Sequence, residues 1–290
     1  MKILQFIIAI IFISCNTNKN TGNYFDSISR NDIKLKDPVP GSWRYVHNEP
    51  HQSFEDYVKL NPQKADLSKT KLYLLPLGNF SPLQSQLIQL TKDYLEIFFQ
   101  LKTEVLPTVS DRIIPDSEKR VNGYTNNIQL YTPYIFEQLL KGKIPKDGYA
   151  LMAITEKDLY PNPDWNFVFG IASYEDRIGI SSIFRYQGKG LDSSNFTLCL
   201  KRLIGTASHE IGHMFSLNHC VVAECSMNGS NSLSESDKQP LRLCSECQRK
   251  LNWNIRYDNK KRLSALIYYL RQNKLQEDLS DLEKDHDNIK

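Results

Sequence analysis

The run from Ser208 to Cys247 constrains this chain more than any other segment, because it combines a histidine pattern typical of metal sites with closely spaced cysteines. His209, Glu210 and His213 form the pattern H-E-x-x-H, and His219 follows six residues after the second histidine. Residues four apart on a helix share a face, so His209 and His213 can bind one ion through their imidazole nitrogens. The fold must therefore bring a helix to a metal-binding point.

H-E-x-x-H is typical of zinc hydrolases, in which a carboxylate works beside a zinc-bound water. Zinc lowers the pKa of that water to about 7, and Glu210 is placed to take its proton and return it to a leaving amine. Such a site needs three protein ligands and one open position. His219 is the expected third ligand if the helix ends within Phe215–Asn218, and Glu235 is the alternative.

Apolar residues precede and accompany the histidines at helical spacing and predict that this helix packs on a core. At about 100° per residue, His209 and His213 point roughly opposite the apolar face, toward a cleft. A helix with merely solvated histidines is the alternative, and the apolar face argues against it. Cys199, at the start of the same helix, is predicted to be a buried free thiol. The apolar face comprises Leu200, Leu203, Ile204, Ala207, Ile211 and Met214.

Four further cysteines read C-x4-C and, after a gap of 18 residues, C-x2-C, at Cys220, Cys225, Cys244 and Cys247. This spacing fits a closed tetrahedral zinc site with four thiolate ligands. Two disulfides are the alternative, which exported chains favour. In either case the cysteines would tie the loop that carries Met227 to the end of the histidine helix.

The whole run resembles the archaemetzincins, a branch of the metzincin metallopeptidases. Their pattern is H-E-x-x-H-x-x-G-x-x-H-C, then x4-C-x-M, then a spacer to C-x-x-C, and it is matched here from His209 to Cys247. Looser similarity extends from about Gly41 to Trp253. The resemblance implies an α+β, metzincin-like zincin fold, in which a mixed twisted sheet is packed by helices and the active-site helix is followed by a zinc-stapled Met-turn region.

The resemblance also implies roles for single residues. Glu210 would be the general base and then the general acid, and Met227 would lie in the Met-turn beneath the metal, where it packs rather than reacts. A catalytic zinc would be bound by His209, His213 and His219. A second, structural zinc would be bound by Cys220, Cys225, Cys244 and Cys247.

One position departs from the family pattern, because Ser216 stands where the pattern has glycine. A glycine there lets the backbone turn with positive φ, so that the third histidine can swing back toward the other two. A serine in that conformation costs roughly 1 kcal/mol or more. We therefore expect Ser216 to loosen the third ligand, His219.

The N-terminal residues 1–14 resemble a bacterial lipoprotein signal peptide, with Lys2, an apolar stretch and a small residue before Cys15. Cys15 would be lipidated and would anchor an exported chain to a membrane, on its periplasmic or surface side. An ordinary secretory signal is the alternative. Residues 15–40 are polar and predict a flexible tether, residues 41–275 the metallopeptidase domain, and residues 276–290 a charged, solvated tail.

Between these segments, apolar runs alternate with amphipathic ones and favour a layered sheet with helices packed on it. Ser53 and Ser81 are typical helix caps. Segment 166–172 is expected at the sheet edge above the cleft, where an extended substrate can add a strand, and an interior strand is the alternative. Strands are expected at 71–77, 103–109, 149–154, 166–172 and 178–184, and helices at 127–141 and 261–274.

The sequence thus predicts a zinc-dependent metallopeptidase acting on peptides or proteins. The net charge of +3 indicates no particular partner, and no motif supports nucleic-acid binding. Cleavage from the N-terminal end, implied by the resemblance alone, would need a group that holds a free amine, for which Glu175 and Asp176 are candidates. The alternatives are a zinc-stabilised surface lipoprotein that binds a peptide or partner without cutting it, and a non-peptide hydrolase. Nothing in the sequence specifies an oligomeric state.

Overall fold

The structure, a computed structural model, describes the backbone of residues 21–289 and the side chains from Tyr24 onward. The predicted signal peptide and its Cys15 lie outside the described residues and stay predictions. Across residues 21–289, none of the helices combines the length and the apolar character needed to cross a membrane.

Helices and strands alternate through the first two thirds of the described chain, and helices alone form the rest. The helices are α1 (Thr21–Ser29), α2 (Trp43–Val46), α3 (Phe54–Lys59), α4 (Pro82–Phe99), α5 (Thr132–Tyr134), α6 (Phe196–Met214), α7 (Leu233–Ser236), α8 (Ser245–Ile255), α9 (Asn259–Gln272) and α10 (Gln276–Asn288). The strands are β1 (Lys71–Leu77), β2 (Lys102–Val105), β3 (Lys119–Val121), β4 (Ile128–Tyr131), β5 (Gly148–Thr155), β6 (Asp158–Tyr160), β7 (Gly170–Ser173) and β8 (Ile178–Ser182).

The main sheet has five strands in the order β2-β1-β5-β8-β7. Its first four strands are parallel, and β7 runs antiparallel to β8 at one edge. The prediction of an edge strand in segment 166–172 is therefore confirmed, although regular pairing covers only Gly170–Ser173. A smaller sheet, β3-β4-β6, combines one antiparallel and one parallel pair. The result is the mixed α+β architecture that the sequence predicts.

Both faces of the main sheet are covered, because successive strand residues point to opposite sides. Leu72 and Leu74 of β1 join the larger apolar cluster, which includes the buried faces of α4 and α6. Tyr73 and Leu75 join a second cluster on the opposite face. Burial on both faces explains why β1 is almost continuously apolar.

Helix α6 is long because its apolar face is buried along its whole length, as predicted; Leu200, Leu203, Ile204, Ala207, Ile211 and Met214 are at most 1% exposed. Cys199 is buried as well and its thiol donates to the Tyr186 carbonyl at 3.0 Å, so it is a structural thiol. The predicted caps are confirmed, since Ser53 and Ser81 each form a capping box at the start of α3 and α4.

Two predicted elements differ from the observed ones. Segment 127–141 was expected to be one helix, but it begins as strand β4 and becomes helical only at Thr132, where Pro133 occupies the first turn. The helix then continues as a π-helical turn, Ile135–Leu140. The expected strand 103–109 ends at Val105, because Pro107 cannot donate to a ladder.

The segment expected to be a flexible tether contains helix α1, with three buried side chains, Tyr24, Phe25 and Ile28. This helix packs against α8 and α10. The polar composition of residues 15–40 suggested a flexible tether, but three apolar residues on one helical face are sufficient for docking when a complementary surface is present.

The charged tail expected at 276–290 is also ordered, as helix α10, which packs on α9 and α1. Two of its carboxylates are buried: Asp285 pairs with buried Arg242 at 2.7 Å, and Asp278 accepts the Leu241 backbone N–H at 2.9 Å. These basic and amide partners lie far away in sequence, and for that reason the charge pattern alone was misleading.

Substituting Ile28 tests whether α1 is part of the fold. Ile28 is fully buried, so Ile28→Ala should lower the free energy of unfolding by about 2 to 4 kcal/mol, measured by denaturant titration. Val39→Ala is the matched control, because Val39 is 64% exposed in the same segment and its loss should change stability by less than about 0.5 kcal/mol. Equal, negligible effects of both substitutions would show that residues 21–40 form a tether.

Candidate metal centres and substrate cleft

Three imidazoles converge where α6 ends. His209 and His213 lie one helical turn apart, and their Nε2 atoms are 3.0 Å from each other. His219 returns from the loop after the helix, and one ring nitrogen from each of the three histidines lies within 4.8 Å of the others. Glu235, the alternative third ligand, is not part of this group and instead accepts the backbone N–H of Trp43 at 2.9 Å.

The return of His219 depends on a sharp turn at Ser216. This residue has φ 64°, the left-handed conformation that a glycine would adopt without cost. Helix α6 ends at Met214, with Phe215 as its C-cap, so the chain leaves the helix before His219 as the third-ligand prediction required. The prediction that serine would occupy a positive-φ position is therefore confirmed.

The remaining ring nitrogen of each histidine has an acceptor. Nδ1 of His213 lies 2.6 Å from the Leu217 carbonyl oxygen, and Nδ1 of His209 lies 2.9 Å from the Ser226 carbonyl oxygen. Nδ1 of His219 lies 2.9 Å from the carboxylate of Glu49. With each Nδ1–H donated in this way, each Nε2 keeps its lone pair for a cation.

Burial favours the neutral form of the two helical histidines. Desolvation, with a smaller contribution from His219, lowers the pKa of His209 to about 3. Desolvation and the two neighbouring imidazoles hold the pKa of His213 well below its usual value. Neutral imidazoles are the form that binds a metal, so these two histidines can bind one at any pH near neutrality.

The histidine group fits a zinc ion. Two nitrogens bound at 2.0 to 2.1 Å in tetrahedral geometry are about 3.3 Å apart, close to the 3.0 Å between His209 and His213. Three nitrogen donors leave a fourth position open, as in catalytic zinc sites. That open side faces a cleft of about 550 Å³ that all three histidines line.

Glu210 lies in the same cleft, under the edge strand β7. A Cβ on Gly170 would be 3.0 Å from Oε1 of Glu210 and 2.8 Å from Thr206, so only glycine lets the strand approach the carboxylate this closely. Burial raises the pKa of Glu210 to about 8 in the absence of a cation. Gly170 was not identified from the sequence, where a lone glycine in an apolar run gave only the general signal of close backbone approach.

Tyr174 is a second residue of the cleft that the sequence did not identify. Its hydroxyl lies 2.9 Å from Nδ1 of His213, and the two rings stack at 5.1 Å. Partial burial raises the pKa of this phenol, so it is protonated at neutral pH. It follows β7 directly and places a hydrogen-bonding group at the rim of the cleft.

The cleft runs along β7 and along α6 from Lys201 to His213. Aromatic side chains form part of its lining, among them Trp43, Trp165 and Phe169. Glu175 and Asp176, the candidates for binding a free amine, are not among the lining residues, and Asp176 accepts the Ser173 hydroxyl at 3.3 Å instead.

The four cysteines form a second group, buried and with their sulfur atoms within 4.8 Å of one another. All four are free thiols. Sγ of Cys220 and Sγ of Cys244 are 3.8 Å apart, the separation expected for two thiolates bound at about 2.3 Å to one tetrahedral zinc. The mutual hydrogen bonds lower the pKa of Cys220, whereas burial raises that of Cys225, so a bound cation would favour the thiolate form of Cys225.

Met227 packs beneath the histidine helix. Its sulfur is 2.5 Å from the position that a Cβ on Gly212 would occupy, so the second glycine of α6 makes room for it. The Met227 carbonyl accepts the Cys220 amide at 2.8 Å, which links this turn to the residue that follows His219. Histidines, methionine turn and cysteines are therefore one connected unit.

Replacing Ser216 by glycine tests the strain at the turn. Because only glycine adopts a positive φ without penalty, Ser216→Gly should raise the free energy of unfolding by about 1 kcal/mol. Ser216→Ala, which keeps a Cβ, is the matched control and should give no such gain. Denaturant unfolding of the three proteins measures the difference; a destabilised glycine variant would contradict the strained turn.

Comparison with known proteins agrees with this geometry. The model of peptidase family M54 matches residues 116–253. Archaemetzincin-2 of Rattus norvegicus is 35% identical over 260 residues, covering 79% of this chain and 72% of the relative, and the Homo sapiens protein of that name is 33% identical over 263 residues, covering 80% and 72%.

A solved structure is similar as well. The crystal structure of an archaemetzincin from Methanopyrus kandleri has a TM-score of 0.52 and 25% sequence identity, covering 66% of this chain and 98% of that one. On the residues and geometry above, together with these relatives, the chain belongs to the archaemetzincin family, peptidase family M54, and is a zinc metallopeptidase.

Proposed function

We propose that His209, His213 and His219 hold the catalytic zinc and that Glu210 moves the proton during peptide-bond hydrolysis. The observation that carries this proposal is the convergence of three imidazoles and one buried carboxylate on a single cleft. A zinc ion bound there supplies a Lewis acid that polarises the scissile carbonyl and acidifies a water.

Glu210 has the position and environment of a general base. Its carboxylate accepts a proton from the attacking water and then delivers that proton to the nitrogen of the leaving amine. Burial strengthens its basicity, since desolvation disfavours the charged form. A partner-binding lipoprotein without catalytic activity would have no need for a buried carboxylate at this place, which favours the peptidase over that alternative.

The edge strand β7 supports an extended peptide as substrate. One side of Gly170–Ser173 pairs with β8, and the other side carries no ladder partner within residues 21–289. A peptide added there as a further strand would bind through backbone hydrogen bonds and would pass over Glu210. The aromatic lining of the cleft would select its side chains.

We also propose that the enzyme cleaves peptides close to a free N-terminus. Two carboxylates besides Glu210 line the cleft, those of Asp164 and Asp237. Asp237 is already paired with Arg202 at 2.7 Å. Asp164, on the exposed loop beside Trp165, is therefore the group that a substrate ammonium could reach. Comparing cleavage of one peptide with free and with acetylated N-terminus separates aminopeptidase from endopeptidase action.

We further propose that the four cysteines hold a second, structural zinc, giving two per chain. The support is their mutual spacing and their burial. Export and lipid anchoring at Cys15 remain proposals that rest on the N-terminal sequence pattern alone.

Glu210→Gln tests the role of the carboxylate. Removing the proton acceptor should lower kcat/KM by roughly 10² to 10⁴-fold while both zinc ions stay bound, because glutamine keeps the shape of the side chain. The measurement combines peptide cleavage with metal analysis of the native and variant chains. Glu55→Gln, at an exposed position away from the cleft, is the control. Unchanged cleavage in Glu210→Gln would remove Glu210 from the mechanism.

Cys225→Ser tests the second zinc. Serine is a poor zinc ligand, so bound zinc should fall from about two to about one per chain and the midpoint of thermal unfolding should drop. Cys199→Ala, a buried cysteine outside the cluster, should keep both ions. Intact mass after alkylation without reductant distinguishes the alternative: loss of four hydrogens from the native chain would indicate two disulfides instead of a zinc site.

A further inference from the structure

The segment from Asn31 to Tyr57, called the N-terminal strap below, runs along the loop that returns His219 to the metal centre. Leu35 donates its backbone N–H to the Val222 carbonyl at 3.2 Å, in the loop between the first two clustered cysteines. Further along, the Tyr57 hydroxyl donates to the Phe215 carbonyl at 2.7 Å, at the end of α6. The strap therefore contacts the metal-binding region at both of its ends.

The strap also holds the strained turn. Gln52 donates its side-chain amide to the Ser216 carbonyl at 3.0 Å and accepts the Asn218 backbone N–H at 3.1 Å. Both groups belong to the short segment between α6 and His219, and Gln52 is itself 5% exposed. A buried bidentate contact of this kind fixes the backbone conformation that brings His219 back.

Glu49 is the part of the strap that reaches the histidine. Both of its carboxylate oxygens lie 2.9 Å from Nδ1 of His219. The carboxylate also accepts the indole N–H of Trp43 at 3.1 Å, and the Trp43 ring contacts the His219 ring edge-on at 4.9 Å. His219, unlike the two helical histidines, has a carboxylate rather than a backbone carbonyl as its acceptor.

Trp43, the hydrogen-bond donor to Glu49, contacts two residues that follow Met227 in the sequence, Gly229 and Glu235. A Cβ on Gly229 would be 2.3 Å from the Trp43 indole, so glycine at 229 provides the space in which the indole lies. Glu235 accepts the Trp43 backbone N–H at 2.9 Å. The contacts thus run from Glu235 through Trp43 and Glu49 to His219.

We propose that Glu49 is a positioning residue for the catalytic metal centre, supplied by the strap. Its carboxylate fixes the tautomer of His219 that presents Nε2 to the zinc and holds the ring in orientation. Such positioning matters most for His219, because this ligand comes from a loop after the strained Ser216, whereas the other two lie on helix α6. The strap lies N-terminal to residues 116–253, so this residue is outside the part of the chain matched by the family model.

The proposal rests on zinc binding at the three histidines, and zinc affinity is the measurement that tests it. Competition with a chelator of known affinity, monitored on the full chain, gives a dissociation constant for each zinc. Partners of this kind typically affect metal affinity by 10 to 100-fold, so Glu49→Gln should weaken the histidine-site zinc by about that factor and leave the cysteine-site zinc unchanged. Trp43→Phe, which removes the indole donor and keeps a ring, should give a smaller shift in the same direction.

Two controls separate positioning from general destabilisation. Glu55→Gln changes a carboxylate of the same strap that does not touch His219 and should leave both affinities as in the native chain. Thermal unfolding of the zinc-free proteins should be nearly the same for the native chain and Glu49→Gln, because the variant keeps the side-chain volume.

The outcomes are distinguishable. If His213→Ala lacks one zinc and Glu49→Gln binds that zinc as tightly as the native chain, Glu49 has no positioning role, and the proposal is overturned while the metal site stands. If the native chain and His213→Ala bind the same number of zinc ions, the histidine site itself is wrong, and the proposed function fails with it.

Discussion

The structure depends on one reversal of the chain directly after α6. Two ligands four residues apart on a helix can bind a cation on their own face only, and a third must be brought back across the helix end. Here the reversal is made at Ser216 with φ 64°, a conformation that costs a non-glycine residue roughly 1 to 2 kcal/mol. The surrounding contacts from Gln52 and Tyr57 offset that cost and leave His219 facing the other two histidines.

Both proposed metal centres take ligands from the segment directly after this reversal of the chain. Cys220 follows His219 immediately, and its amide donates to the Met227 carbonyl at 2.8 Å. The Ser226 carbonyl in turn accepts Nδ1–H of His209. A cation bound among the cysteines would therefore stabilise the segment that orients two of the three histidines. Buried Arg242 pairs with Asp285 and Asp32 and so ties the same region to α10 and to the N-terminal strap.

Local patterns in the sequence predicted most of the site, because spacing on a helix determines which side chains share a face. His209, Glu210 and His213 needed only the period of α6, and the four cysteines only their ligand spacing. Glu49, Gly170 and Tyr174 could not be found in this way, since each meets the site from a segment distant in sequence. The same reason explains why the packing of α1 and α10 was not predicted. Their partners Gln248 and Arg242 lie elsewhere in the chain, and composition alone does not reveal them.

Locating the zinc ions tests most directly the central claim that the three histidines bind one zinc and the four cysteines another. Diffraction data from crystals of the zinc-loaded chain, collected on both sides of the zinc absorption edge, locate each zinc without reference to activity. We expect one anomalous peak about 2.0 to 2.1 Å from a nitrogen of each of His209, His213 and His219, and another about 2.3 Å from the four cysteine sulfurs. A peak at the cysteines with none among the histidines, from crystals grown in excess zinc, would contradict it.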